Sequence, residues 1–293
     1  MDKNKPMQTC LDCLPCFIRQ TLDASRQVSN DVAFHEKMVR DLFRNLADSD
    51  WSNSPPILAQ KIHRKLREET GIDDPYKQQK QDHNQLALRL LPNLRKDVEK
   101  SDDPLISAAH FAIAGNIIDL GAKSGLNESD VLNAIEHATE EPLEGDIDSF
   151  RKAVREAKSI LYIADNAGEI IFDRLLVEQL GPERVTLAVR GAPILNDALE
   201  EDARAAGLDK LVPIIGNGKG NDVPGTDIDQ CSEEFCALFN SADLIISKGQ
   251  GNFETLSNNP RRIFFLFKVK CPVIADVSRR PLNAHVLMEK PKK

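Results

Sequence analysis

The chain has 293 residues, enough to bury a sizeable core and to divide into two domains. Its 38 Lys plus Arg stand against 46 Asp plus Glu, and the net charge of −8 comes with no basic run, which argues against a nucleic-acid partner. The N-terminus M-D-K-N-K-P-M-Q-T-C has no apolar signal core, and I-F-F-L-F at 263–267 is too short to span a bilayer, so a soluble, cytoplasmic protein is expected, with no membrane partner.

The first half reads as helices. D-V-A-F-H-E-K-M-V-R-D-L-F-R-N-L-A places Phe34, Met38, Leu42, Phe43 and Leu46 on one helical face. P-P-I-L-A-Q-K-I-H-R-K-L-R-E-E-T-G opens on prolines and closes at Gly71, the usual start and stop of a helix. D-P-Y-K-Q-Q-K-Q-D-H-N-Q-L-A-L-R-L-L begins another. P-L-I-S-A-A-H-F-A-I-A-G-N-I-I-D-L-G is apolar on most sides and should be a buried central helix, interrupted by Asn116 and Asp119, and E-S-D-V-L-N-A-I-E-H-A follows it.

The period changes near residue 158. Strands are predicted at Ile160–Ala164, Val185–Val189, Leu211–Ile215, Asp243–Ser247, Ile263–Phe267 and Pro272–Ala275. Helices lie between them at E-I-I-F-D-R-L-L-V-E-Q-L-G and N-D-A-L-E-E-D-A-R-A-A-G-L. Alternation of this kind predicts an α/β domain over 158–293, a mostly parallel sheet covered on both faces, after a helical domain over 1–157. The short link between the last two predicted strands implies an antiparallel edge.

Two acidic-amide pairs carry the chemistry. Asp165-Asn166 follows the first strand and Asn196-Asp197 the second. Either pair alone could be a helix N-cap. At the carboxyl ends of neighbouring parallel strands, however, their hard oxygens suit a divalent ion in the crevice where open α/β sheets bind ligands. After the next strand but one, S-K-G-Q-G-N-F-E-T-L offers Lys248 with Gly249 and Gly251, whose backbone N–H groups could converge on an anion. The loop I-I-G-N-G-K-G-N-D-V-P-G-T is equally glycine-rich. Metal ligands beside a lysine-bearing glycine loop are the parts phosphoryl transfer requires.

Cys10, Cys13 and Cys16 form C-x-x-C-x-x-C, a spacing compatible with an accessory metal or redox site whose fourth ligand would come from Cys231, Cys236 or a histidine. Cys271 and His110 read as core. Two further readings stay open: a Rossmann-like nucleotide- or S-adenosylmethionine-binding enzyme, although L-Y-I-A-D-N-A-G-E supplies only Gly168 for the turn, and a non-catalytic zinc or iron–sulfur protein built on the cysteines.

Taken together, C-L-P-C-F-I-R-Q, D-P-Y-K-Q-Q-K, A-I-A-G-N-I-I-D-L-G, A-D-N-A-G-E-I-I-F-D, V-R-G-A-P-I-L-N-D-A, V-P-G-T and S-K-G-Q-G-N-F-E-T-L resemble the damage-control phosphatases, in the branch with an N-terminal C-x-x-C. The resemblance implies a three-layer α/β/α domain beside a helical one. It also implies a divalent ion (Mn²⁺, Co²⁺, Ni²⁺ or Mg²⁺) held by Asp165, Asn166 and Asp197, with Asp165 and Lys248 in catalytic roles. Lys248, Gly249 and Asn252 would face the phosphate of a small phosphorylated metabolite, a sugar phosphate or a damaged one, and Asn116 would reach the cleft from the other domain. Only Cys13 and Cys16 match the branch motif; Cys10 is an addition.

Overall fold

A computed structural model describes residues 7–117 and 128–289. Twelve helices are described: α1 (Leu14–Val28), α2 (Val32–Asp48), α3 (Pro55–Thr70), α4 (Lys77–Lys100), α5 (Pro104–Ala114), α6 (Glu128–Glu140), α7 (Ile147–Glu156), α8 (Glu169–Leu180), α9 (Glu200–Ala205), α10 (Glu233–Ser241), α11 (Gln250–Leu256) and α12 (Pro272–Ser278). Seven strands, β1 (Leu143–Gly145), β2 (Ile160–Ile163), β3 (Val185–Val189), β4 (Ile214–Gly216), β5 (Leu244–Lys248), β6 (Ile263–Lys268) and β7 (His285–Glu289), form one sheet in the order β1-β7-β6-β5-β2-β3-β4. All pairings are parallel except β6 with β7.

The period-2 alternation of the strands sorts the core into two layers. Ile160, Tyr162, Leu187, Ile246 and Leu266 face a layer containing α4, α5, α7 and α8. Leu161, Ile163, Ala188, Ile245 and Phe265 face the opposite layer, where Phe235 and Phe239 of α10, Phe253 of α11 and Ile274 of α12 pack. A separate cluster of Phe17, Leu42, Leu46, Leu58 and Ile62 joins α1, α2 and α3. Gly115 marks the tight contact of α5 with α8, since a Cβ there would stand 2.9 Å from Phe172 Cδ2 and 3.3 Å from Glu169 Cα.

Three expectations change. Pro272–Ala275 is not a strand: Cys271 is extended, Pro272 takes the first helical position and α12 follows. The antiparallel strand is β7, and it lies inside the sheet, with β1 as the edge beside it. The sheet also begins before residue 158, because β1 pairs with β7 and Asp146 N donates to Leu287 O at 2.9 Å. The first helix, α1, begins inside the cysteine motif, with Cys16 in its first turn and Cys10 and Cys13 before it. His110 packs edge-on against His285 at 5.3 Å, as a core residue. Asp119 lies outside the described residues.

Candidate active site at the strand ends

A cleft of about 390 Å³ opens where α1 and α3 lean over the carboxyl ends of β2, β3, β5 and β6. The loops after β2 and β3 are knitted together by backbone bonds. Ala198 N donates to Asp165 O at 2.8 Å, Ala167 N to Asn196 O at 2.9 Å, and Asn166 and Asp197 form an antiparallel bridge. Leu195, at φ 46, turns the second loop inward in a conformation leucine rarely adopts. From α4, Asn84 clamps the base of both loops: its Oδ1 accepts from Gly168 N (2.7 Å) and its Nδ2 donates to Asp202 (2.6 Å).

This construction brings Asp165, Asn166 and Asp197 together on the floor of the cleft, each nearly buried. Asn166 Nδ2 donates to Asp165 Oδ2 at 2.7 Å and approaches Glu169 Oε2 at 3.3 Å. Arg190 Nε donates to Asp197 Oδ2 at 2.6 Å, while its Nη2 is 3.9 Å from Asp165. Burial first, then the charges of Glu169 and Asp197, push the Asp165 carboxyl up to about 8. Burial also raises Asp197, although Arg190 opposes the shift. The two neighbouring carboxyls resist ionising together, and Arg190 offsets only part of their charge.

The residues fit a hard divalent ion: two carboxylates and one carboxamide oxygen converge on one cleft floor. Among the described residues no group of three or more His, Cys, Asp or Glu side chains that could hold a metal ion is found.

The remaining predicted residues lie elsewhere. Lys248 is fully buried beneath the floor, where its ammonium donates to Ala112 O (2.8 Å), Glu169 Oε1 (2.6 Å) and Asp173 Oδ1 (2.6 Å). Burial works against its charge, but Asp173 and Glu169 outweigh that and raise its pKa. Three donors meeting three acceptors leave none for a ligand. The Gly249 amide is likewise engaged, donating to Leu266 O at 2.9 Å. Gly249 serves a different purpose: at φ +79, it leaves room for the Asp165 carboxylate, which a Cβ would overlap.

Asn252 is a buried hub, donating to Lys248 O (2.7 Å) and Ala164 O (3.2 Å) and accepting from Thr226 Oγ1 (2.8 Å) and Arg190 Nη2 (3.2 Å). Asn116 reaches Glu169 Oε2 at 3.4 Å, behind the cleft wall. Cys13 and Cys16 do line the cleft, and Cys10 Sγ is 3.6 Å from Cys13 Sγ. The cysteine beside Cys16 is Cys271, which lines the cleft and packs against the core behind it. Cys231 and Cys236 instead bond to the carbonyls of Asp227 and Ile228.

Sequence reasoning misses four site residues: Glu169, Arg190, Glu254 and Lys270. Arg190 directly follows β3, a position that could point to it. Glu254 lines the cleft one helical turn after Gln250, whose Nε2 donates to it at 2.8 Å, and burial pushes it up to about 7.

A family model for the damage-control phosphatase ARMT1-like domain matches residues 9–286. The chain belongs to that family. It is 34% identical over 288 residues to the damage-control phosphatase of Pyrococcus horikoshii, covering 96% of this chain and 98% of that protein. Identity to a damage-control phosphatase of Archaeoglobus fulgidus is also 34%, over 274 residues, covering 90% and 93%. The crystal structure of the Pyrococcus family member superposes with a TM-score of 0.88 at 33% identity, over 97% of this chain and 99% of that one. The fold is therefore the α/β fold of this family, and no helix among the described residues is long and apolar enough to cross a membrane.

Proposed function

We propose that the chain is a divalent-metal-dependent phosphatase that hydrolyses phosphomonoesters of small metabolites, such as sugar phosphates or damaged phosphometabolites. The observation that carries this reading is the convergence of Asp165, Asn166 and Asp197 on one cleft floor, where burial holds both carboxyls above their ordinary range. These three residues would hold the ion (Mn²⁺, Co²⁺, Ni²⁺ or Mg²⁺), which when bound supplies charge stabilisation at the phosphoryl oxygens. Arg190 orients Asp197 and adds fixed positive charge behind it. Lys248 pairs with Glu169 and Asp173 and so offsets part of the negative charge that these carboxylates place below the floor. Gly249 lets Asp165 sit where it does. Glu254, a buried carboxyl on the wall, is placed to hold a proton near neutral pH, the property wanted in a general acid.

The test is phosphate release from p-nitrophenyl phosphate and a panel of sugar phosphates, with each metal added in turn. Asp165→Ala and Asp197→Ala should each abolish release while the circular dichroism spectrum stays native. Unchanged turnover in both variants would remove the site.

A further inference from the structure

The cysteines at the start of α1 include a contact that the cleft chemistry does not use: Cys10 Sγ and Cys13 Sγ stand 3.6 Å apart. The local backbone causes it. Cys10 is the extended residue that enters a single 3₁₀ turn, Leu11–Cys13, and its carbonyl accepts from Cys13 N at 3.0 Å. In a 3₁₀ turn the side chains at i and i+3 eclipse, and three residues at about 2.0 Å rise set their Cα atoms about 6 Å apart. That separation falls inside the window of roughly 4.4–6.8 Å that a disulfide accepts. To bond, the sulfurs need only close from 3.6 Å to about 2.05 Å.

Both cysteines are held in that register. Just before the pair, Thr9 N donates to Trp51 O at 3.1 Å and Asn53 O at 2.9 Å, and its hydroxyl donates to Asn53 O at 2.9 Å. Cys13 packs in the cluster of Phe17, Leu42, Leu46, Leu58 and Ile62, and Cys10 lies against the same cluster. The loop between α2 and α3 thus fixes the approach to one sulfur, and the core of α1, α2 and α3 fixes the other. Groups held this way react as neighbours rather than as partners that must first meet.

A closed zinc or iron site asks for four ligands, and no group of three or more candidate side chains is found among the described residues. The two thiols are also unequal. Cys10 is half-buried, within reach of a small molecule, whereas burial pushes the Cys13 thiol up to about 12 and makes it a poor first nucleophile. Cys10 stands outside the C-x-x-C of the branch, so the pair belongs to this chain rather than to the shared motif.

We infer that Cys10 and Cys13 are a reversible dithiol–disulfide site whose oxidant is a low-molecular-weight disulfide. The Cys10 thiolate attacks one sulfur of that molecule, breaks its S–S bond and releases one small thiolate, leaving a mixed disulfide. Cys13 then gives up its proton and attacks Cys10 Sγ, and the second small thiolate leaves. Two electrons pass from the protein sulfurs to the small disulfide, and the two thiol protons end on the two small thiols. The chemistry uses neither metal nor phosphate ester, so it stands apart from the phosphatase reading.

The test equilibrates the reduced full chain, without oxygen, at graded ratios of reduced to oxidised glutathione, then traps thiols by alkylation for peptide mass spectrometry. Oxidising ratios should join Cys10 to Cys13 with the loss of two hydrogens, and dithiothreitol should restore both thiols. Cys10, Cys13 and Cys16 share one tryptic peptide ending at Arg19, so variants make the assignment. Cys16→Ser should keep the bond at the same ratio. Cys10→Ser should lose it, while its circular dichroism and melting temperature in dithiothreitol match wild type. Cys10 and Cys13 left as thiols or as glutathione adducts at every ratio would overturn the inference, as would a bond within this peptide that survives in Cys10→Ser. Zinc or iron that co-purifies with the chain and is lost in Cys10→Ser would overturn it too, by making these cysteines metal ligands.

Discussion

Replacing Gly249 with alanine separates two roles that a glycine can play. The residue has φ 79 and ψ 159, a region that essentially only glycine occupies, and an alanine there costs on the order of 1–3 kcal/mol. At Gly249 the new methyl would also overlap the Asp165 carboxylate, with even the farther oxygen, Oδ1, at 2.5 Å. Restoring ordinary contact at about 3.4 Å requires the carboxylate to retreat by about 1 Å or more, and a displacement of that size at a reacting centre costs on the order of a hundred-fold in rate. Gly220 supplies the control, because its φ is +77 and nothing lies within 4 Å of where a methyl would stand. Both variants should lose stability in urea unfolding, Gly249→Ala the more. Only Gly249→Ala should lose metal-dependent phosphate release. Equal activity in the two variants would show that Asp165 tolerates displacement, and the reasoning would fail.

Other outcomes follow from the buried charges. Lys248→Met should destabilise the fold by about 3–5 kcal/mol, because it leaves Glu169 and Asp173 buried without their cation, and adding Asp173→Asn should recover part of that loss in denaturant unfolding. Glu254 should make stability pH-dependent. Its folded pKa is raised from 4.5 to about 7, so its contribution is complete below about 4.5 and is lost as pH rises through about 7, a change of about 3 kcal/mol. Glu254→Gln should remove that part of the slope, and parallel wild-type and variant curves would refute it. Asp222→Asn should cost about 2–3 kcal/mol, discounted for the half-exposed Arg64, by weakening the latch of Arg64, Arg67 and Gln60 that ties α3 to the loop after β4; proteolysis near residue 222 should quicken. Mn²⁺ at a hundred times its Kd should raise wild-type stability by about 2.7 kcal/mol and leave Asp197→Ala unmoved, read by thermal shift.

The metal-binding candidates are legible because their signal is local: an acidic-amide pair directly after an apolar run marks a strand end, and strand ends converge in an open sheet. Lys248 shows where such reading stops. At the end of β5 it looks like a residue facing the ligand, yet it shares strand parity with Leu244 and Ile246, which face the α5 and α8 layer. That parity sends the ammonium beneath the floor to Ala112, Glu169 and Asp173. Pro272–Ala275 misleads because a short β-branched run after proline suits both a strand and a first helical turn. Lys270 and Glu254 carry no motif of their own. They matter only through what α11 and the end of β6 place beside them, and a sequence taken alone does not display that adjacency.

The sheet's outer strand sets a timetable for folding. Among the described residues β1 has no sheet neighbour other than β7, and Glu289 N donates to Asp146 across a separation of 143 residues. Gly145 is pressed so closely on Leu287 that a side chain there would collide with its carbonyl. During synthesis β1 must therefore wait, unpaired, until nearly all of the described chain has emerged. Contacts so distant along the chain carry a large closure entropy and form late. A nascent chain stalled before β7 would expose both β1 and the open side of β6, which makes that interval the one in which this protein most needs protection from aggregation.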